Sequence, residues 1–294
     1  MPGFEPLDLR AKRVRLAHGR AVVEVAPGIG GRVASLEVDG WNVLRRDGWT
    51  DNEWGVFVMA PWVGRLRDAH VVWGGRTWSV PQTEPPHALH GLVSAVPWTV
   101  VSVTARSIRL ERSLGPEWPT GGRLVHTIAV GHDRLVMHLE LHAEREPTPA
   151  ILGWHPWFPR RATRVASPGR GGSSPEIIAD AYPEAQLEVV ARRRVELDGD
   201  GLPTGVLLDP RAEPVDDVLL GLTSAPIVRW PAGPTLTLNA SGVAAWIAYT
   251  AHPDGVCLEP VTGIPDGING GILGEPPVAA PLAPLSATFE IAWG

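Results

Sequence analysis

The feature that most limits how this chain can fold is its punctuation. Thirty prolines and 33 glycines are spread over 294 residues, and they leave no stretch long enough to carry a helical apolar period. Between the breaks the side chains alternate. Ala21-Val22-Val23-Glu24-Val25 reads as a strand, Gly28 to Gly31 as a turn, and Arg32-Val33-Ala34-Ser35-Leu36-Glu37-Val38 as the next strand, closed by Asp39-Gly40. Such alternation suits a sheet with one buried face, and Asp-Gly after it is a hairpin signal. Gly74-Gly75 likewise separates Val71-Val72-Trp73 from Thr77-Trp78-Ser79-Val80. Residues 99–103 pair with 107–111, and 124–130 with 135–142 across Gly131-His132-Asp133. Later strands are expected at 227–230, 235–238, 245–250, 256–259 and 287–292, and one helical turn within 54–59. Residues 161–175 read as a mobile loop, and the Pro- and Gly-rich 265–284 as an ordered but irregular wrap. No fixed-period repeat points to a propeller. The chain is therefore expected to be all-β, a large antiparallel β-sandwich, with residues 1–294 forming a single domain.

Charge and cysteine usage narrow the function. The net charge is −6 and the basic residues are scattered, whereas nucleic-acid binding calls for a clustered basic footprint. The run Arg192-Arg193-Arg194 reads as a solvated edge. The single cysteine, Cys257, can make neither an internal disulfide nor a thiolate-rich zinc site. A reducing, cytoplasmic setting is expected. The N-terminal segment has no apolar h-region, and no apolar run approaches the ~18 residues of a membrane helix. Thirteen tryptophans suit both β-sheet cores and stacking on sugar C–H faces.

Four islands hold residues able to do chemistry: Ala60-Pro61-Trp62-Val63-Gly64-Arg65-Leu66-Arg67-Asp68, His87-Ala88-Leu89-His90-Gly91-Leu92-Val93, Thr148-Pro149-Ala150-Ile151-Leu152-Gly153-Trp154-His155-Pro156-Trp157-Phe158, and Val256-Cys257-Leu258-Glu259-Pro260-Val261-Thr262. The third places a His in a Pro-bounded turn among aromatics. The fourth places one carboxylate at the end of an apolar strand. A His and a Glu on separate strands are the minimum kit for removing one proton from a sugar ring while adding another. His87 and His90 are three apart, but no Cys or acidic cluster joins them, so neither metal nor cofactor is expected. His138 and His142 share a strand face and are assigned to a polar outer surface. Arg65 and Arg67 share parity, and spacing does not choose between them. Asp216 and Asp217 point opposite ways in a strand, and one of them is assigned to a solvated turn.

In order and spacing the islands resemble the aldose 1-epimerase (galactose mutarotase) family. Trp118-Pro119-Thr120-Gly121-Gly122-Arg123-Leu124, Val215-Asp216-Asp217-Val218-Leu219-Leu220-Gly221-Leu222 and Ile247-Ala248-Tyr249-Thr250 add fainter likenesses, so the resemblance runs from about Val22 to about Ile291. It implies a galactose mutarotase-like supersandwich with its site in a cleft on one sheet face. It also implies Glu259 as general base at the anomeric hydroxyl and His155 as general acid at the ring oxygen. Arg65 and His90 would hold ring hydroxyls or the ring oxygen, Asp216 would accept from sugar hydroxyls, and Trp157 would lie against the sugar. By parity Trp154, three residues from Trp157, would then face the core, and Asp217→Ala would be nearly neutral.

The chemistry implied is the exchange of α and β anomers of a free hexose. Ring opening removes a proton at O1 and adds one at O5; the aldehyde turns about C1–C2, and closure reverses both transfers. The partner expected is a monosaccharide, not nucleic acid or membrane, and the protein a monomer or weak dimer. The sequence departs from the family at Gly64, where Asn is usual, at Trp157 for Tyr, and at Leu219 for Phe, all of which bear on substrate preference. The alternatives are a hexose-6-phosphate 1-epimerase, with Arg32, Arg67, Arg160 and Arg161 as phosphate ligands, a glycosidase, which needs two carboxylates, and a non-catalytic carbohydrate-binding protein.

Overall fold

The structure is a computed structural model that describes residues 12–48, 50–165, 177–178, 184–271 and 273–294. Two large sheets account for most of it. The 13-stranded sheet runs from Ile177–Ile178 through Thr163–Val165, Trp41–Asn42, Arg32–Val38, Val56–Met59, Gly153–Pro159, Gly255–Val261, Ala245–Tyr249, Asp216–Leu222 and Ala191–Leu197 to Pro203–Leu208. Ala21–Ala26 pairs with Arg32–Val38 and carries Val14–His18 on its far edge. The eight-stranded sheet follows the order Thr99–Val103, Ser107–Ser113, Arg123–Val130, Arg134–His142, Leu285–Trp293, Thr235–Ser241, Ile227–Arg229, Gln186–Glu188. Only single 3₁₀ turns, Arg67–Ala69 and Gly267–Asn269, are helical among the described residues, and no helix is long and apolar enough to cross a membrane. The fold is all-β and antiparallel, as the alternation implied.

The core lies between the sheets. Arg134–His142 buries Leu135, Met137, Leu139 and Leu141 and turns the intervening residues outward. His138 and His142 sit on that outer face, where His138 Nδ1 lies 2.9 Å from Thr288 Oγ1. From the larger sheet, Trp154 and Trp246 pack on Phe289. The Trp154 indole also donates to Nε2 of buried His126 at 3.2 Å, which satisfies a polar atom that would otherwise be costly to bury.

The expected hairpins are present. Asp39 and Gly40, with φ of 51° and 77°, join Arg32–Val38 to Trp41–Asn42, and Gly74-Gly75 joins His70–Trp73 to Arg76–Ser79. Two expectations are corrected. Residues 54–59 hold no helical turn: Val56–Met59 is a central strand buried on both faces, and a short apolar run carries no period that separates the two. Gly153–Pro159 is not a turn but the neighbouring strand. Of the loop expected over 161–175, residues 166–175 lie outside the described residues; Thr163–Val165 is a strand. The wrap over 265–284 contains one 3₁₀ turn and the two-residue strand Val278–Ala279.

Candidate active site

Sheet register builds the site. Strand Gly153–Pro159 pairs on one side with Val56–Met59, setting His155 against Phe57. On its other side Gly153 pairs with Val261 and Trp157 with Cys257, a register that sets His155 opposite Glu259. Pairing skips the positions between, where Pro156 and Pro260 have no N–H to donate. Glu259 pairs onward with Ile247, and Ile247 with Val218. Phe57, His155, Glu259, Ile247 and Val218 thus form one rung across five strands. Two residues along each strand, hence on the same face, Trp157, Cys257, Tyr249 and Asp216 form the next rung. This face looks away from the eight-stranded sheet. Trp154, of opposite parity, enters the core, while Trp157 lines the cavity above the rungs.

The cavity is about 470 Å³, within the range of small-ligand sites. His155 and Glu259 lie on its floor, both nearly enclosed, with Nε2 3.3 Å from Oε1. The imidazole is sandwiched between Phe57, with centroids 4.7 Å apart, and Trp157, 5.5 Å away; His90 meets it edge-on at 5.1 Å. Guanidinium groups cap both ends of this aromatic column. Arg32 lies 5.2 Å from the Phe57 centroid and Arg45 5.3 Å from that of Trp157. Arg32 is fully buried and donates to the carbonyl oxygens of Ile29, Asp51, Trp54 and Ser94.

These surroundings decide where protons sit. Burial pushes the His155 pKa well below the usual imidazole value, and the charges of His90 and Arg32 push the same way. Burial raises Glu259 well above the usual carboxylate value, and Asp216 adds to it. The pair therefore holds one proton over a wide pH range, shared across a short gap. His90 is lowered to about 3 by burial and then by Arg65.

The other residues singled out in the sequence fall as follows. Arg65 lies on the short strand Arg65–Leu66, paired with Ala88–Leu89, and lines the cavity with its guanidinium on Glu84. Arg67 turns away to Asp266, 3.3 Å distant. His90 is held at a φ of 57°, with its N–H on the Gly64 carbonyl oxygen at 3.0 Å. Gly91 follows with a φ of 79°, and a Cβ there would lie 2.1 Å from the Ala60 carbonyl oxygen, so no other residue fits. At Gly64, with a φ of 56°, a Cβ would meet the Pro265 ring at 2.6 Å. Asp216 faces the cavity and keeps contact with solvent, yet loss of water around its carboxyl raises its pKa, opposed by Arg65 and reinforced by Asp217. Asp217 corrects an expectation. It is no solvated turn residue but is buried on the opposite face, where Arg211 grips it through two bonds of 2.8 and 3.0 Å and Arg194 approaches to 3.8 Å.

Several cavity residues were not singled out in the sequence. Tyr249 and His252 meet the Trp157 ring edge-on at 5.9 and 5.1 Å, and Asn52, Glu53 and Glu84 form the rim. The alternation of Ala245–Tyr249 against Gly255–Val261 is the signal that could have found Tyr249. Loop residues such as His252 carried none. Ligand atoms of His155, Cys257 and Glu259 lie within 4.8 Å of one another. The Cys257 thiol is held well above its usual pKa by burial, then by Glu259, so it stands there as S–H rather than the thiolate a metal takes. A larger cleft of about 550 Å³ beside Arg45, Arg46 and Arg161 has no His or Glu in its lining.

The fold has counterparts among solved structures. A galactose mutarotase-like protein from Clostridium acetobutylicum matches with a TM-score of 0.78 at 15% identity, covering 97% of this chain and 95% of that one. An aldose epimerase homologue from C. elegans matches with 0.75 at 14%, covering 96% and 98%. A galactose 1-epimerase from Lactobacillus acidophilus matches with 0.73 at 14%, covering 96% and 94%. At such identities these likenesses speak for the fold alone. No curated protein matches in sequence. The family profile described as aldose 1-epimerase, however, matches residues 12–221, a span that contains the Arg65, His90, His155 and Asp216 islands, and so the chain belongs to the aldose 1-epimerase family.

Proposed function

We propose that this protein is an aldose 1-epimerase acting on a free monosaccharide, with Glu259 and His155 as its general base and acid. The observation that carries the reading is the enclosed His155–Glu259 pair, 3.3 Å apart and holding one proton between opposed pKa shifts. The single proton rests on Glu259; its passage to His155 across the 3.3 Å gap leaves Glu259 a carboxylate that takes the O1 proton while the imidazolium protonates O5. The C1–O5 bond breaks and the aldehyde is free to turn. Closure from the other face returns both protons, so the pair ends as it began. Arg65, His90 and Asp216 would hold the ring by its oxygens, and Trp157 would cover a C–H face. Residues 1–294 are read as one cytoplasmic domain, monomeric or weakly dimeric.

The placement of the arginines favours a free sugar over a 6-phosphate. Arg32 is spent on carbonyl oxygens, Arg67 on Asp266, Arg160 on the carbonyl oxygens of Thr250 and His252, and Arg161 on Glu184. The one arginine lining the cavity, among the described residues, is Arg65, already paired with Glu84. Polarimetry tests the reading. The purified protein should speed the mutarotation of α-D-glucose or α-D-galactose, with EDTA making no difference. Equilibration of free and phosphorylated aldoses no faster than in buffer would leave a sugar-binding protein without catalysis.

A further inference from the structure

The larger cleft beside Arg45 is separate from the catalytic cavity. It measures about 550 Å³, and among the described residues the two share no lining residue. Arg45 stands between them. Its side chain lines the cleft, while its guanidinium lies 5.3 Å from the centroid of the Trp157 ring, which lines the catalytic cavity. Main-chain bonds fix its position: the Arg45 N–H donates to the Trp157 carbonyl oxygen at 2.9 Å, and its carbonyl oxygen accepts from Gly55 at 2.8 Å. Strand Trp41–Asn42, paired with both Arg32–Val38 and Thr163–Val165, brings Asn42 to the same cleft.

Two buried groups in this cleft lack the partners their chemistry calls for. Arg45 is only 8% exposed. Its side chain meets the His252 ring at 3.3 Å, and no carboxylate pairs with it among the described residues. A buried guanidinium without a counter-ion is costly, and an anion relieves that cost. Asn42 is 7% exposed. Its Nδ2 donates to the Leu44 carbonyl oxygen at 2.9 Å, which fixes the amide and leaves Oδ1 buried without a donor. Arg46 and Arg161 also line the cleft, with half-exposed side chains 3.7 Å from Glu24 and 3.2 Å from Glu184. Each of those carboxylates has a second arginine, Arg13 and Arg160, so Arg46 and Arg161 can turn to a ligand at little cost.

We infer that this cleft is a second ligand site, for a small phosphorylated polyol of the sugar-phosphate type, distinct from the site of the reacting sugar. The phosphate pairs with Arg45, and Arg46 and Arg161 close on it; the fork of a guanidinium matches two phosphate oxygens. Hydroxyls donate to Asn42 Oδ1 and to the carboxylates of Asp47 and Asp254, which also line the cleft. The same two carboxylates repel a bare phosphate, and a bare phosphate leaves most of the volume unfilled. A polyol chain turns both into acceptors and fills the space. The site does not depend on the epimerase reading.

Calorimetry at constant ionic strength compares glucose 6-phosphate, glycerol 3-phosphate and inorganic phosphate. At least one ester should bind about 10-fold tighter than inorganic phosphate, the gain from one or two added hydrogen bonds. Arg46→Gln and Arg161→Gln should each weaken that ester about 10-fold, as loss of a charge-assisted bond does. Asn42→Leu should bring the ester close to inorganic phosphate; thermal melts check its folding, and the two exposed arginines carry the test if it unfolds. Arg65→Met, in the catalytic cavity, should leave ester binding unchanged. Ester binding lost in Arg65→Met but kept in Arg46→Gln and Arg161→Gln would place the ester in the catalytic cavity and overturn the second site. Inorganic phosphate binding as tightly as both esters, or no phosphate compound binding at all, would overturn it too. Ester binding with this pattern of variants, in a protein that speeds the mutarotation of no sugar, would uphold the second site and overturn the epimerase reading alone.

Discussion

One proton on the His155–Glu259 pair is the working state, and its pH dependence follows from the two shifts. The imidazole resists a second proton because burial, His90 and Arg32 all oppose the charge. The carboxyl keeps the single proton because burial and Asp216 oppose ionisation. The acid limb of kcat/KM should therefore lie well below the ordinary imidazole value of about 6.5, and the alkaline limb well above the ordinary carboxylate value of about 4.3, with a flat top between. An acid limb close to 6.5 would mean that His155 titrates as an exposed histidine does. Glu259→Gln and His155→Ala should each lower kcat by about 10²-fold or more, as loss of a general base or acid does; near wild-type turnover in Glu259→Gln would remove Glu259 from the role. At this scale the sequence was informative where chemistry and motif coincide. His155 and Glu259 announce themselves through their Pro and aromatic neighbours. Phe57 and Arg32 look like ordinary strand residues, because what matters in them is the ring and charge they set beneath an imidazole on another strand.

Elements decide which side of the sheet each residue serves. Trp154 and Trp157, three apart on one strand, occupy opposite faces, and this separates two measurements. Trp157→Phe should shrink the tryptophan fluorescence change that saturating sugar produces, whereas Trp154→Phe should preserve it. Trp154→Phe should instead destabilise by about 1–3 kcal/mol, from the space left beside Phe289 and the lost partner of His126. The opposite outcome in both assays would reverse the strand. Asp216 and Asp217 make a second such pair. Asp216→Ala should raise KM and lower kcat with little effect on folding. Asp217→Ala should lower stability by about 1–3 kcal/mol, because a buried carboxylate that accepts two bonds from Arg211 is removed; half of the Arg211 side chain is exposed, which keeps the figure at the lower part of the range for buried pairs. Denaturant melts and initial rates on both variants tell the two roles apart. The hairpin strands were legible because alternation and Gly or Asp-Gly turns mark them. Val56–Met59 and Gly153–Pro159 were not, since strands buried on both faces lose alternation and Pro156 imitates a break.

For the molecule as a whole, the groups that build the site also set how folding responds to pH. His90 and His126 are lowered to about 3 and His155 well below its usual value, in each case first by burial. Below about 6.5 the unfolded chain binds a proton on each of them and the folded protein does not, so stability falls as pH falls. Glu259 acts in the other sense. Its folded pKa is raised above 4.5, so its contribution is fully present below that value and is lost as pH rises towards the folded pKa. Each proton is worth about 1.4 kcal/mol per pH unit. Between about 4.5 and 6.5 the three histidines, joined by His252, outweigh the Glu259 carboxyl. Above 6.5 the histidines no longer contribute, and Glu259 lowers stability with rising pH for as long as its folded form keeps the proton. Unfolding free energies from urea titrations across pH 3 to 9 should therefore rise from the acid side up to about 6.5, the ordinary imidazole value. Glu259→Gln, which replaces an ionisable group by a neutral one of the same shape, should flatten the alkaline decline and leave the acid side in place. It should also gain stability relative to the wild type as pH rises, since the carboxyl ionises in the unfolded chain while burial holds it protonated in the folded protein. A variant that gains nothing relative to the wild type as pH rises, or a wild-type curve with no alkaline decline, would show that Glu259 is already ionised in the resting protein and that the shared proton rests elsewhere.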